Sequence, residues 1–518
     1  MKKTFLKSIL LSTLTLVSLF SCGDGFKFII SGLDKPSIDN TELTNSANTS
    51  KQDDKNSNSD DQSNIDDGSE FTIFSINDFH GKIEATNAYN GLLALQGAIR
   101  GNPKYTEDSP IVSAGDMWQG TYVSGFDKGE SLTKLMNDFP ISAMALGNHE
   151  FDWGFSKIES NQNKANYPFL CANLIQKSTK KRPDSIKDHI VLDIDGFKLG
   201  VVGAMGAELE SSIKSSRIED FEFSNDTSLL ENAITSCEEE GAKSTILVLH
   251  DDKDSTYTNT IQSSKLNFKG IFGGHSHSFQ LEKSNSIIPY VQGGCDSNGY
   301  SYMTFSKTTG TLKDINYVNV DSSMASNASM DLIQKTNNLI DSIPTITYGY
   351  STGRWNKTNT TNFVLQAMFY AVKKNYPDKN YTTETLVALH NNSGIRGKFT
   401  SGEMTNKTVQ TVSPFDNVVT ILPNREVNGT LLETVGSRPY CRSYPNSSSW
   451  TTKRTMDIVT IDFLVSDRYS AALSPTKPTP AINLENDKGE DYIIYDVVAD
   501  YIKYLCQDGN VINAADYN

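Results

Sequence analysis

The sequence predicts a mixed α/β (α+β) protein of two globular domains behind an export leader and a polar tether. Three observations carry this. Short apolar runs alternate with helix-periodic segments from Phe71 onward, the pattern of strands joined by helices. At 518 residues the chain exceeds what one hydrophobic core usually supports. A polar stretch from Asp321 to Lys335 then separates a first series of elements from a second. The composition, 37% hydrophobic and 21% charged, fits a globular body and excludes collagen, coiled coil or a polytopic membrane protein. With 62 acidic against 47 basic residues the net charge is −15, which opposes nonspecific binding to duplex nucleic acid or to an anionic bilayer. Any phosphorylated ligand therefore needs local help.

The first element, residues 1–22, is an address. Lys2 and Lys3 precede an apolar but Ser/Thr-interrupted run from Phe5 to Phe20, too short and too polar to span a membrane stably. The run ends at Leu19-Phe20-Ser21-Cys22-Gly23, which resembles the lipobox of bacterial lipoproteins and makes Cys22 a lipid anchor, although Phe20 is bulkier than that motif usually has. A simple signal peptide with an incidental cysteine is the alternative. Five cysteines remain, an odd number without a C-x-x-C pair. Residues 23–69 read as a disordered tether, since from Asp34 to Ser69 the chain is Asn, Asp, Ser, Thr and Lys with scarcely any large apolar residue, too polar to offset the entropy of ordering.

The body follows in order. Phe71 to Ile76, Ile111 to Ser113, Ile141 to Leu146, Phe169 to Ala172, His189 to Ile194, Leu199 to Val202, Thr245 to Leu249, Gly270 to Phe272 and Ile288 to Val291 read as strands. Leu92 to Arg100 and Ser131 to Asn137 read as helices, and a further helix precedes Thr245. These form a first domain, 70–320, followed by a connection, 321–347, read as an interdomain linker or helix. A second domain, 348–518, opens with a helix over Asn362 to Lys373 and a strand at Leu386 to Leu389.

Five of the seven histidines lie in short strings: Asp78-Phe79-His80, Gly147-Asn148-His149-Glu150, Leu249-His250 and His275-Ser276-His277. Each string follows a strand-like run, where open α/β sheets place binding loops, and Gly115-Asp116 does the same after Ile111 to Ser113. Residues at i and i+2 of an extended segment face one side, so Asp78 with His80, and His275 with His277, are each expected to present two ligands together. Glycines 115, 147, 273 and 274 suit sharp turns and close approach to ions or phosphate. A single D-x-H or H-x-H is more often a surface pair, and N-H-E can merely open a helix. The whole set in this order points to metal binding. His189 and His390 fall outside it.

The ordered set D-F-H, G-D, G-N-H-E-F-D (Gly147 to Asp152), His250 and G-H-S-H (Gly274 to His277) closely resembles the calcineurin-like metallophosphoesterases. The F-S-I-N-D-F-H-G opening and the second domain resemble the bacterial 5′-nucleotidase, UDP-sugar hydrolase and cyclic-phosphodiesterase group. The resemblance implies a four-layer αββα sandwich and two divalent metal ions. Asp116 would bridge them, with Asp78, His80 and His277 completing one ion and Asn148, His250 and His275 the other. Mixed imidazole and oxygen donors suit Zn²⁺, Mn²⁺ or Fe better than Mg²⁺. His149 would act as acid or electrophile and Asp152 would orient it. A helix-entry carboxylate is the alternative for Asp152.

In the second domain Asn391-Asn392-Ser393-Gly394-Ile395-Arg396 resembles the N-x-G-G-I-R element of the 5′-nucleotidase C-terminal domain, and Pro414-Phe415-Asp416-Asn417 its P-F-G-N element. The resemblance implies substrate contacts from Arg396, Phe415 and Asn417. Arg354 is a weaker match to another substrate arginine. At Asp462 to Tyr469 the family's G-G-D-G-Y turn is shortened, which leaves Phe463 as the second stacking ring and Asp467 as the sugar-binding carboxylate in a turn that could move both. Core packing is the alternative for either phenylalanine. The expected function is extracytoplasmic 5′-nucleotidase action by metal-activated water, on a nucleotide or similar phosphoester. 2′,3′-Cyclic phosphodiesterase with 3′-nucleotidase activity, UDP-sugar hydrolysis, thiosulfohydrolysis and non-catalytic ligand capture by a lipoprotein are the alternatives.

Overall fold

The structure is a computed structural model and describes residues 66–86, 88–284, 287–433, 441–448, 450–465 and 480–518. The leader with Cys22, the tether through residue 65, and Asp467 lie outside the described residues. Asp66 and Asp67, at the end of the segment read as tether, are tied to the body: Ser306 Oγ donates to Asp66 at 3.0 Å and Thr308 Oγ1 to Asp67 at 2.7 Å.

The apolar runs of the first domain are strands of two six-stranded sheets. In chain order they are β1 (Glu70–Ile76), β2 (Ile111–Ser113), β3 (Ile141–Ala145), β4 (Phe169–Leu170), β5 (His189–Ile194), β6 (Phe197–Met205), β7 (Ser244–His250), β8 (Phe268–Gly273), β9 (Phe279–Glu282), β10 (Tyr290–Gly293), β11 (Gly299–Ser306) and β12 (Leu312–Asn319). One sheet has the order β12-β11-β1-β2-β3-β4 and the other β9-β10-β8-β7-β6-β5. In each, four adjacent strands run parallel, β1 to β4 in the first and β10, β8, β7 and β6 in the second. The turn between β5 and β6 is Asp195-Gly196, both at positive φ (50° and 84°), the hairpin geometry that Asp-Gly favours.

Strands with both faces covered read as unbroken apolar runs. On β1, Phe71 and Ile73 face the space between the sheets, while Phe74 and Ile76 face outward helices. On β7, Ile246 and Val248 point inward and Leu247 and Leu249 outward. The outer face of the first sheet is covered by α1 (Gly91–Arg100), α2 (Glu130–Asp138) and α3 (Phe155–Gln162), through Leu92, Leu95, Leu132, Met136 and Ile158. Helices α4 (Ser228–Glu239) and α5 (Thr256–Ser263) cover the second through Leu230, Ile234, Tyr257 and Ile261. The result is the four-layer αββα sandwich. Each fully buried aliphatic side chain contributes about 1.5–3 kcal/mol, and a one-residue slip would turn whole strands inside out, so register is tightly set.

The connection is not a free linker. Its helix α6 (Met330–Ser342) starts at Ser329, whose hydroxyl caps Leu332 N, and it buries Leu332 against the helices of the first domain, where Ile343 also packs. Ser329 N donates to Gln96 of α1 at 2.8 Å. The backbone near Met324 passes so close to α1 that a Cβ on Gly97 would lie 2.0 Å from Met324 O.

In the second domain α7 (Lys357–Asn375) is buried on most sides, including Phe363, Leu365 and Met368. It begins five residues before the predicted start because Asn356 and Asn359 form a reciprocal cap in a Thr/Asn run that reads as loop. With α8 (Asn406–Val412) and α9 (Ile494–Leu505) it packs against a five-stranded sheet. The strands of this domain are β13 (Thr347–Thr352), β14 (Leu386–Asn391), β15 (Gly402–Thr405), β16 (Val419–Val427), β17 (Cys441–Tyr444), β18 (Arg454–Ile461), β19 (Ile482–Asn483) and β20 (Ile512–Asn513). The larger sheet has the order β17-β14-β18-β16-β19, and β15-β13-β20 form a smaller one. Among the described residues no helix is long and apolar enough to cross a membrane, and Cys171, Cys237, Cys295 and Cys506 form no disulfide.

Candidate active site

Every histidine string sits at the C-terminal end of a parallel strand. Asp78 and His80 follow β1, Asp116 follows β2, Asn148 and His149 follow β3, His250 ends β7, and His275 and His277 follow β8. The pairs do not arise from extended geometry, as the two-residue spacing predicts. Asp78, His80, Asp116, His275 and His277 all have positive φ, from 48° to 75°. Turns, not strand alternation, aim these side chains, and His275 and His277 part into different clusters. Such conformations cost about 1–3 kcal/mol each and persist only where the surroundings impose them. Here Asp78 N donates to Gly115 O and His80 N to Asp116 O, each at 3.0 Å. His275 N donates to both Asp78 carboxylate oxygens, at 3.0 and 2.9 Å. Gly115 has a φ of 85°, whereas Gly147 and Gly274 matter for space: a Cβ on Gly147 would lie 2.3 Å from Asp116 Oδ1, and one on Gly274 2.9 Å from His250 Nδ1.

The side chains gather into two donor clusters that share Asp116. One holds Asp78, His80, Asp116 and His277, the other Asp116, His250 and His275, and within each the ligand atoms lie within 4.8 Å of one another. His80 Nε2 is 2.9 Å from His277 Nε2, and His277 Nε2 is 3.4 Å from Asp78 Oδ1. His250 Nε2 lies 3.2 Å from Asp116 Oδ2 and 3.2 Å from Asn148 Oδ1, which adds Asn148 to the second group. His80 Nδ1 donates to Gln119 O at 2.8 Å and His250 Nδ1 to Ala114 O at 2.7 Å, which orients each ring with Nε2 toward the clusters.

Electrostatics suit cations. Burial, reinforced by His277, holds His80 well below the usual histidine range, and burial pushes His275 and His277 down to about 3, so all three stay neutral donors. Asp116 and His250 behave oppositely. Burial disfavours both charges, yet Asp116 raises His250 to about 10, and His250 in turn holds Asp116 well below the carboxylate range. A divalent cation would take the place of the proton between them. His275 Nδ1 is buried without a hydrogen-bond partner. Neutral imidazoles, a shared carboxylate and that orphaned nitrogen fit a pair of divalent ions.

Beside the clusters stands His149. Its backbone N donates to Asp116 Oδ1 at 2.8 Å, its Nδ1 is 2.8 Å from Asp152 Oδ2, and Arg396 Nη2 donates to its Nε2 at 2.9 Å. Burial opposes protonation, but the Asp152 and Asp116 carboxylates outweigh it and raise the pKa of His149. The Phe415 ring stacks on His149 with centroids 5.4 Å apart, and the Arg396 guanidinium lies 5.5 Å over Phe415. Glu150 supports the scaffold by accepting from the backbone N of Asp116, Met117 and Gly147 at 2.9, 2.8 and 2.7 Å.

Residues 71–279 match the family of calcineurin-like phosphoesterases and residues 335–435 the 5′-nucleotidase C-terminal domain. The chain carries a calcineurin-like phosphoesterase domain followed by a 5′-nucleotidase C-terminal domain. Among curated relatives, a snake venom 5′-nucleotidase of Crotalus adamanteus is 24% identical over 415 residues, 70% of this chain and 69% of that protein. A 5′-nucleotidase of Diplobatis ommata is 26% identical over 416 residues, 70% of each chain. The crystal structure of a 5′-nucleotidase precursor from Thermus thermophilus superposes with a TM-score of 0.64 at 17% identity, over 86% of this chain and 99% of that one, and shares the fold. The phosphoesterase is a metal-dependent phosphoester hydrolase.

A cavity of about 370 Å³ joins the phosphoesterase domain to the second domain. Asp116, Asn148, His149, Asp152, His275 and His277 line one side, and Arg396, Phe415, Asn417 and Phe463 the other. Arg354 is exposed just before α7 and is not among the lining residues. Sequence reasoning missed Lys214, Arg217, Asn391 and Asp416, which also line it. Asn391 opens the N-x-G-G-I-R-like element and Asp416 stands where the P-F-G-N element has glycine, so both carried a signal. Lys214 and Arg217 lie in a polar loop between strands and carried none. His189 pairs with Asp188 at 2.8 Å, and neither it nor the buried His390 lines the cavity.

Proposed function

We propose that this phosphoesterase is a 5′-nucleotidase that acts outside the cytoplasm and releases orthophosphate from a nucleoside monophosphate. The observation that carries the reading is the single carboxylate, Asp116, shared by two donor clusters on the floor of a cavity walled by Phe415 and Phe463. In this reading Asp78, His80, Asp116 and His277 hold one divalent ion, and Asp116, Asn148, His250 and His275 the other. Two such ions, if held there, would supply activated water and offset phosphoryl charge. His149 donates a hydrogen bond or a proton to a phosphoryl or leaving-group oxygen, and Asp152 fixes its tautomer and supports its charge. Arg396 meets substrate anionic oxygens, Asn417 a polar edge, and Phe415 and Phe463 sandwich the base, which rewards aromatic area without selecting one base.

The same reading takes residues 70–320 as the catalytic domain, 321–347 as the connection and 348–518 as the substrate-binding domain. The leader 1–22 and tether 23–69 would hold the body outside the cytoplasmic membrane through a diacylglycerol on Cys22. The test is a phosphate-release panel with AMP, 3′-AMP, 2′,3′-cyclic AMP, UDP-glucose and an aryl phosphate, after chelation and readdition of Zn²⁺, Mn²⁺, Fe²⁺ or Mg²⁺. AMP is expected to lead with metal present and to fall to background without it. Preference for 2′,3′-cyclic AMP or UDP-glucose would overturn the 5′-nucleotidase assignment, and turnover after complete chelation the metal assignment.

A further inference from the structure

The cavity contains cationic chemistry that the reaction above does not use. Lys214 and Arg217 come from the phosphoesterase domain, in the loop between β6 and α4, and both line the cavity. Lys214 is already committed: its Nζ is ion-paired with Asp462, next to Phe463. Arg217 is not. Among the described residues its guanidinium makes no hydrogen bond or ion pair, and its Nε is buried without a partner. The side chain runs beside Gly154, two residues beyond Asp152, where a Cβ would lie 3.9 Å from Arg217 Cδ and Nη1. It therefore stands at the His149 wall outside both donor clusters. Asp416 faces the same space and feels the Arg217 charge, but its own hydrogen bond is with Tyr495.

An unpaired guanidinium partly removed from water is costly unless an anion completes it, and its planar fork matches phosphate oxygens. We propose that Arg217 is a specificity-determining residue that binds a second phosphate carried by the leaving group. This deepens the nucleotidase reading and rests on it. The ligand chemistry is a nucleotide whose reacting phosphate sits at the clusters while another, on the phosphate chain or on the sugar, reaches Arg217. The bland alternative is that Arg217 only offsets the charge of Asp416.

The test compares AMP, ADP and adenosine 3′,5′-bisphosphate with the metal-loaded full chain, in wild type, Arg217→Met and Arg217→Lys. Charge-assisted contacts to phosphate are strong, so Arg217→Met is expected to lower kcat/KM for ADP or the bisphosphate, relative to AMP, by about tenfold or more. Arg217→Lys, which keeps the charge without the fork, should recover part of it. Whichever substrate responds places the second phosphate on the chain or on the sugar. Calorimetric binding of nonhydrolysable analogues of ADP and of the bisphosphate should weaken in parallel for whichever of the two responds. Equal loss on all three substrates would assign Arg217 to Asp416 and overturn the proposal, as would unchanged ratios. If wild type hydrolyses none of the three, the nucleotidase reading itself fails, and the calorimetric comparison still decides whether Arg217 binds the second phosphate.

Discussion

Gly147→Ala isolates the geometry on which the metal centre depends. The backbone of Gly147, at φ −100° and ψ 178°, is one that alanine adopts without strain, so any defect comes from the methyl group. That group would lie 2.3 Å from Asp116 Oδ1, 2.6 Å from Asp116 N and 2.9 Å from His250 Cε1. Restoring van der Waals contact requires the shared carboxylate or the loop to retreat by about 1 Å, and a misplacement of that size at a reacting centre costs on the order of 100-fold in rate. This corresponds to about 2.7 kcal/mol. The assay is phosphate release from AMP at saturating metal, with bound metal counted by elemental analysis. Gly196→Ala is the control: its φ is 84° and a Cβ there meets nothing within 4 Å. It should cost about 1–2 kcal/mol of stability through left-handed backbone alone, with turnover intact. If Gly147→Ala kept turnover within threefold and normal metal content, Asp116 would not be held as described.

Phe415→Ala removes the ring that stacks on His149 and should raise KM for AMP roughly tenfold or more, from about 1–3 kcal/mol of lost base stacking, with a much smaller change for a small aryl phosphate. Steady-state kinetics on both substrates decides it, and equal effects would mean that the ring only packs. Glu150→Gln leaves one acceptor oxygen and an amide group facing three backbone donors. It should cost about 1–3 kcal/mol per unmade bond, read as a fall in the melting midpoint of the metal-loaded protein, and an unchanged midpoint would refute the scaffold role.

The strands were legible because they are covered on both faces, as in Ile141 to Ala145 and Ser244 to His250, whose apolar runs are little interrupted by polar alternation; their stacking into a four-layer sandwich came only from the family resemblance. The donor residues were legible because chelation needs imidazole and carboxylate together, and a whole ordered set of such strings at strand ends seldom arises otherwise, although each string alone is common. The sequence did not disclose β11, whose Gly-Tyr-Ser-Tyr-Met-Thr-Phe-Ser mixes small polar and aromatic residues yet pairs along nearly all of β1. The packed connection was likewise hidden, since α6 needs only Leu332 and a few neighbours to dock. The left-handed turns could not be read because Asp78, His80 and His275 hold them through contacts across two sheets. Arg217 is near Phe415 and Asp416 only through tertiary folding, so no local pattern announces it.

The two donor clusters draw on both sheets: Asp78, His80, Asp116 and Asn148 follow strands of one, and His250, His275 and His277 belong to the other. Ions seated between them would act as rivets through the seam of the sandwich, so cation supply would govern endurance as well as rate. Ligand at 100 times its dissociation constant adds about 2.7 kcal/mol to the folded state. Wherever chelators or scarcity alter metal supply, heat tolerance would rise and fall with the available metal.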